Sequence, residues 1–175
     1  MQLNVLSELC QPIGSVTTLS LDEPVVHLEG PPLRDLIGTL TLLRIDRGLH
    51  ASFEGSASIR EKCARCLAES DCEVGIRFEE EFVPVTDANT SARIHLTDGD
   101  DTFRIGPDFV LDLSDAFRQY FLIAEPLKPL CRPDCAGLCP TCGANFNERA
   151  CGCAPATDRR WGALVGLEKK ASKGT

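Results

Sequence analysis

Between residues 51 and 59 the small or apolar side chains sit on odd positions: Ala51, Phe53, Gly55, Ala57 and Ile59, with Ser52, Glu54, Ser56 and Ser58 between them. Between 72 and 82 the apolar set is even (Cys72, Val74, Ile76, Phe78, Phe82), alternating with Glu73, Arg77, Glu79 and Glu81. Successive side chains of a strand point to opposite faces, so this alternation predicts two half-buried strands of an antiparallel pair. Upstream, residues 16–21 and 25–28 read as short strands. Gly30-Pro31-Pro32 breaks the chain, and residues 36–45 read as a longer strand. The period changes after Asp112. Leu113, Ala116, Phe117, Tyr120, Phe121 and Ala124 form one stripe of an amphipathic helix, capped by Asp112 or Ser114 and packed on the sheet. Pro126 stops that helix and Pro129 stiffens its exit. A last short helix is expected from Thr157 or Asp158, burying Trp161, Leu164, Val165 and Leu167, with residues 169–175 frayed.

Glu79-Glu80-Glu81 reads as a solvated strand face, with Glu79 and Glu81 outward and Glu80 at an edge or the cysteine region. Residues 84–101 are polar and aperiodic, end in Asp98-Gly99-Asp100-Asp101, and read as a mobile acidic loop.

The cysteines add the chemistry. Six of the ten lie within residues 131–153, as Cys131/Cys135, Cys139/Cys142 and Cys151/Cys153. Cys63-Ala64-Arg65-Cys66 forms the tip between the two alternating strands, the usual shape of a zinc knuckle. A redox C-x-x-C normally opens a helix, whose dipole acidifies the first thiol, and no helix is expected here. Cys72 belongs to the apolar face, and Cys10 is isolated. Four close pairs match two four-ligand zinc sites. The sequence-local solution joins Cys139, Cys142, Cys151 and Cys153 as a ribbon and leaves Cys131 and Cys135 to reach back to Cys63 and Cys66. A single site using only tail thiols is the alternative. His27, His50 and His95 lie outside the tail, so a site there is all-thiolate, with no open position for hydrolytic chemistry.

The fold class expected is therefore α+β: an antiparallel sheet or partial barrel, one packed amphipathic helix and a C-terminal cysteine-rich, zinc-ribbon-like tail. Residues 1–125 form the β-rich core with its knuckle hairpin and helix. Residues 126–175 form the zinc-binding tail, continuous with the core as one structural unit.

With 175 residues, 43% of them hydrophobic, the chain can build one real core. Neither a signal peptide nor a run of about 18 apolar residues is seen, and ten cysteines without an export signal point to the reducing cytoplasm. The net charge of −8 is uneven: residues 1–125 carry 10 Lys/Arg against 22 Asp/Glu, residues 126–175 carry 8 against 4. The tail is thus locally basic. Arg132, Arg149, Arg159 and Arg160 either offset thiolate charge around a metal or contact RNA phosphates.

The chain resembles the YceD-like family of large ribosomal RNA subunit accumulation proteins. The resemblance covers roughly residues 15–167. It rests on Cys63-x-Arg65-Cys66-Leu67, Glu81-Phe82, Asp112-Leu113 and the proline-punctuated helix exit. Its most specific part is Leu130-Cys131-x-x-Asp134-Cys135-x-Gly137-Leu138-Cys139-Pro140-x-Cys142-Gly143-x-Asn145, then Cys151-x-Cys153 and Asp158-x-Arg160-Trp161-x-x-Leu164. Ala136 stands where the family usually has Lys, Phe146 where it has Leu, Arg159 where it has Pro, and Gln119 where Glu is frequent. The resemblance implies a role in 23S ribosomal RNA accumulation and large-subunit assembly, with no known catalytic activity. Partners implied are 23S RNA or its precursor, or a large-subunit ribosomal protein. Two rivals from other classes are a thiol redox or zinc-sensing protein using Cys63/Cys66 and a protein-only adaptor for a basic ribosomal protein.

Overall fold

The computed structural model describes residues 1–28, 32–90, 92–94, 102–154 and 160. The elements are β1 (Gln2–Asn4), α1 (Leu6–Leu9), β2 (Val16–Val26), β3 (Leu33–Ile45), β4 (Gly48–Lys62), β5 (Glu69–Pro84), β6 (Phe103–Ile105), β7 (Val110–Asp112) and α2 (Ser114–Ala124). Strands β2-β3-β4-β5-β6 form one sheet in that order, and β1 pairs with β7. The first four strands are antiparallel and β6 joins β5 in parallel.

The alternating segments are the central pair, in the register their pattern requires. Phe53 faces Phe78, Gly55 faces Ile76, Ala57 faces Val74 and Ile59 faces Cys72. Both apolar sets therefore point to one face, where α2 lies. Phe117 on α2 meets Phe53 edge-on at 4.8 Å and Phe78 at 5.2 Å, and all three rings are buried. Beneath them Gly38 of β3 faces Gly55 of β4. A Cβ on Gly55 would stand 2.3 Å from the Ile37 carbonyl oxygen, and one on Gly38 would stand 2.4 Å from the Phe53 ring. Two glycines let the ring lie flat on the sheet.

Several expectations need correction. Residues 16–21 and 25–26 belong to one strand, β2, which runs through Pro24, while His27 and Leu28 lie beyond its end. As an edge strand, β2 needs only one side of its backbone for the ladder, so a proline is tolerated. No barrel closes among the described residues: β2 and the three-residue β6 are separate edges. Strand β1, helix α1 and strand β6 were not expected, being too short to show a period. Glu80 does not lie at the cysteines: it sits where β5 pairs with β4 alone, since β6 reaches only residues 82–84. It is half-buried under α2, where the Tyr120 hydroxyl donates to its carboxylate at 2.6 Å. That bond, with burial, holds the Tyr120 hydroxyl above its usual range.

The start of the 84–101 segment is ordered. The Val85 and Ile94 amides donate to Ile105 and Val85 carbonyls, Thr86 bridges Arg93, and Asp87 caps its own turn by accepting from Asn89 and Thr90. These bonds, the Thr90 amide first, hold the Asp87 carboxyl below its usual range. At α2, Asp112 accepts the Ser114 amide at 2.9 Å, whereas the Ser114 hydroxyl accepts from the chain's amino terminus. Glu125 leaves the helical conformation just before Pro126. The expected terminal helix with Trp161, Leu164, Val165 and Leu167, together with Arg159, His95 and the Asp98–Asp101 run, lies outside the described residues.

Candidate metal centres

The local chemistry of the two knuckles is the same. The Cys63 amide donates to the Ala68 carbonyl at 2.8 Å and the Leu67 amide to the Cys63 carbonyl at 2.9 Å. At the second, the Cys139 amide donates to Ala144 at 2.8 Å and the Gly143 amide to Cys139 at 2.9 Å. Residues 63–68 and 139–144 are thus one turn used twice, curling backbone N–H groups toward the first sulfur. The residue after the second cysteine is left-handed in both: Gly143 at φ 70° and Leu67 at φ 60°. Glycine adopts that conformation without a Cβ penalty; leucine does not.

The structure gathers eight cysteines into two groups of four, Cys63, Cys66, Cys131 and Cys135, and Cys139, Cys142, Cys151 and Cys153. Within each group all four sulfurs lie within 4.8 Å of one another. The Cys63–Cys135 and Cys66–Cys131 sulfurs are 3.7 and 3.6 Å apart. A tetrahedron with metal–sulfur bonds of about 2.3 Å has an edge of about 3.8 Å, so each of these two separations already fits one ion. Either group could hold a metal. The first is a clamp between the β4–β5 tip and the exit from α2, mostly buried. The second is a ribbon within the tail, with Cys142 exposed.

Three contacts outside the thiols hold the clamp. The Ala64 amide donates to the Pro129 carbonyl at 2.8 Å, and the Arg65 guanidinium to the Cys135 carbonyl at 2.9 Å. The third is Asn147, which the sequence reading passed over. Its Nδ2 donates to the Cys135 sulfur at 3.3 Å, while its Oδ1 accepts from the Ala136 amide and from Arg132 at 2.8 Å each. Asn147 thus ties the ribbon loop to the clamp. The only signal for it was an asparagine two residues beyond Asn145 in a cysteine-rich turn.

Cys72 is half-buried against the core and Cys10 is exposed, and neither joins a ligand cluster among the described residues. Arg149 and Arg160 are exposed; Arg132 also pairs with Asp134 at 3.3 Å. Cys63 and Cys66 lie between β4 and β5, and helix α2 ends seven residues before Cys131, so among the described residues neither thiol opens a helix as a redox pair does.

The titration pattern follows from geometry. The Cys131 and Cys66 amides pull Cys63 down to about 6, and the Cys142 and Thr141 amides do the same for Cys139. Burial first, then neighbouring thiols, pushes Cys131 up to about 12. Contact with the Cys142 thiol, then burial, pushes Cys153 up to about 12. Each group favours some thiolate, but adjacent thiolates repel and the remaining protons stay until a cation displaces them. Metal affinity is therefore expected to fall steeply as pH drops through about 6, where protons return to Cys63 and Cys139 as well. Chelator competition with divalent cobalt at pH 5.5 and 7.5 checks this; a pH-independent affinity would rule out thiolate ligation.

A family model described as large ribosomal RNA subunit accumulation protein YceD matches residues 51–168. Uncharacterised proteins of Mycobacterium tuberculosis and Mycobacterium bovis are each 33% identical over 158 residues, covering 90% of this chain and 72% of theirs. A Zea mays protein named as a chloroplastic large ribosomal RNA subunit accumulation protein, YCED homolog 1, is 36% identical over 63 residues, 35% of this chain and 22% of its own length. No solved structure matches. No helix among the described residues is long and apolar enough to cross a membrane.

Proposed function

The chain belongs to the YceD family of large ribosomal RNA subunit accumulation proteins, and from that premise we propose that it is a non-enzymatic factor for 23S ribosomal RNA accumulation and large-subunit assembly, working in the cytoplasm. Two structural Zn²⁺ ions bind, one at Cys63, Cys66, Cys131 and Cys135 and one at Cys139, Cys142, Cys151 and Cys153. The observation that carries this reading is the convergence of two pairs 65 or more residues apart in sequence with sulfurs 3.6 and 3.7 Å apart. Thiolate-only sites favour zinc over calcium or magnesium, and four protein ligands leave no position for a reacting water. The ions join residues 1–125 and 126–175 into one structural unit.

The fixed tail offers arginines to RNA phosphates: Arg132, Arg149, Arg159 and Arg160. The acidic sheet keeps RNA from binding elsewhere. Each phosphate contact releases counterions, so affinity for a 23S precursor fragment falls steeply with salt. Alanine at all four arginines is expected to flatten the slope of log affinity against log salt by about 3. Fluorescence anisotropy between 50 and 300 mM salt reads this directly. A wild-type slope near zero, or one that survives all four substitutions, would remove the RNA contact from the account.

A further inference from the structure

The largest exposed apolar side chains include four near the hinge between β4–β5 and the helix exit. Leu127 is 100% exposed, Ile123 79%, Leu67 62% and Leu122 57%. A groove of about 420 Å³ opens there, walled by Leu122, Pro126, Leu127 and Pro129. Its charged lining is Glu61 and Glu125, both half-buried, with Lys62 exposed. Neither carboxylate has a partner side chain among the described residues. Leu67 sits on the adjoining knuckle, which the Ala64-to-Pro129 hydrogen bond fastens to the groove wall.

Leu67 supplies an independent observation. Its position is the counterpart of Gly143, yet it carries a leucine in a left-handed backbone. Folding gains little from a side chain that is mostly in water, so a strained, exposed leucine points to use by something outside the chain. The other exposed leucines extend the same demand into an apolar surface rimmed by acid.

We propose that this surface docks a short segment of a basic ribosomal protein, with aliphatic side chains against Leu67, Leu122 and Leu127 and a Lys or Arg paired with Glu61 or Glu125. The charge fits: residues 1–125 carry 22 Asp/Glu against 10 Lys/Arg, and two carboxylates without a partner side chain among the described residues line the groove. RNA is disfavoured because those carboxylates repel phosphate. A second copy is disfavoured because it would bring two identical acidic rims together. The ribosomal origin of the segment rests on the proposed function; the groove and its chemistry do not.

The test is an array of overlapping 15-residue peptides covering the large-subunit ribosomal proteins, plus one peptide with this chain's residues 157–175. It is probed with the metal-loaded full chain, and hits are titrated by anisotropy. Hits are expected to combine Lys or Arg with aliphatic residues. Leu127→Ser and Leu67→Gly should each weaken them about tenfold or more, and E61Q with E125Q should weaken them and flatten their salt dependence. Thermal midpoints should not fall, because Leu127 is fully exposed and glycine suits the backbone at 67. The proposal is overturned by an array without hits, by hits indifferent to these variants, by a preference for the 157–175 peptide, or by dimers that Leu127→Ser dissolves. Peptide binding that persists after the tail arginines are replaced, while RNA binding is lost, supports a separate protein surface. Lost peptide binding with intact salt-dependent RNA binding would sink this inference and leave the RNA reading standing.

Discussion

Replacing Cys63 and Cys66 together by serine is expected to halve the zinc bound per chain and to lower stability by about 4 kcal/mol. The clamp joins residues 72 apart through Cys63 and Cys135. A cross-link over a loop of that length removes about 4 kcal/mol of chain entropy from the unfolded state. The ribbon closes only the short stretch from Cys139 to Cys153, for which the same relation gives about 3 kcal/mol, so C142S with C153S should also cost one ion but about 1 kcal/mol less stability. Metal analysis by mass spectrometry with urea unfolding separates the two. A double mutant that keeps both ions and its unfolding midpoint would mean that no ion bridges hairpin and tail.

Phe117→Ala is expected to cost about 3–5 kcal/mol, the range for removing a buried aromatic ring from a close-packed core. Phe117 is fully buried and contacts Phe53 and Phe78 edge-on, over the Gly38–Gly55 pair. The denaturant midpoint should fall while the metal count of the folded protein stays unchanged, since the clamp thiols lie beyond the helix. A loss under about 1 kcal/mol would show that α2 does not seal this core.

These two residues sets differ in how visible they were. Phe117 was legible because its neighbours at helical spacing and the two strands with period two describe matching apolar faces. Fourteen consecutive partners between β4 and β5, from Leu49↔Phe82 to Lys62↔Glu69, keep the alternation in register. The cysteine pairs were legible as ligands because a C-x-x-C turn places two sulfurs on one side of a few residues. Glu80 was misread because alternation gives only the face of a strand. Whether that face meets water or the Tyr120 hydroxyl depends on where a helix 40 residues later comes to rest. Asn147 and the ordered turn at Asp87 escaped for a related reason: single side-chain hydrogen bonds leave no periodic trace. Pro24 seemed to end a strand because a proline's cost depends on whether its strand is an edge.

By itself the sequence determined the local shapes: the half-buried hairpin with a thiol tip, the amphipathic helix stopped by Pro126, and three further cysteine pairs in a tail of opposite charge to the core. All of these are properties of a few neighbouring residues, set by side-chain period, backbone restriction and ligand spacing. Only the tertiary structure decided that Cys131 and Cys135 lie beside Cys63 and Cys66, where ligand counting left a tail-only site as the alternative, that the sheet stays open, and that Leu122 and Leu127 wall a groove with Glu61 and Glu125. Those facts depend on how the helix exit crosses the hairpin, a long-range packing choice that no local pattern encodes.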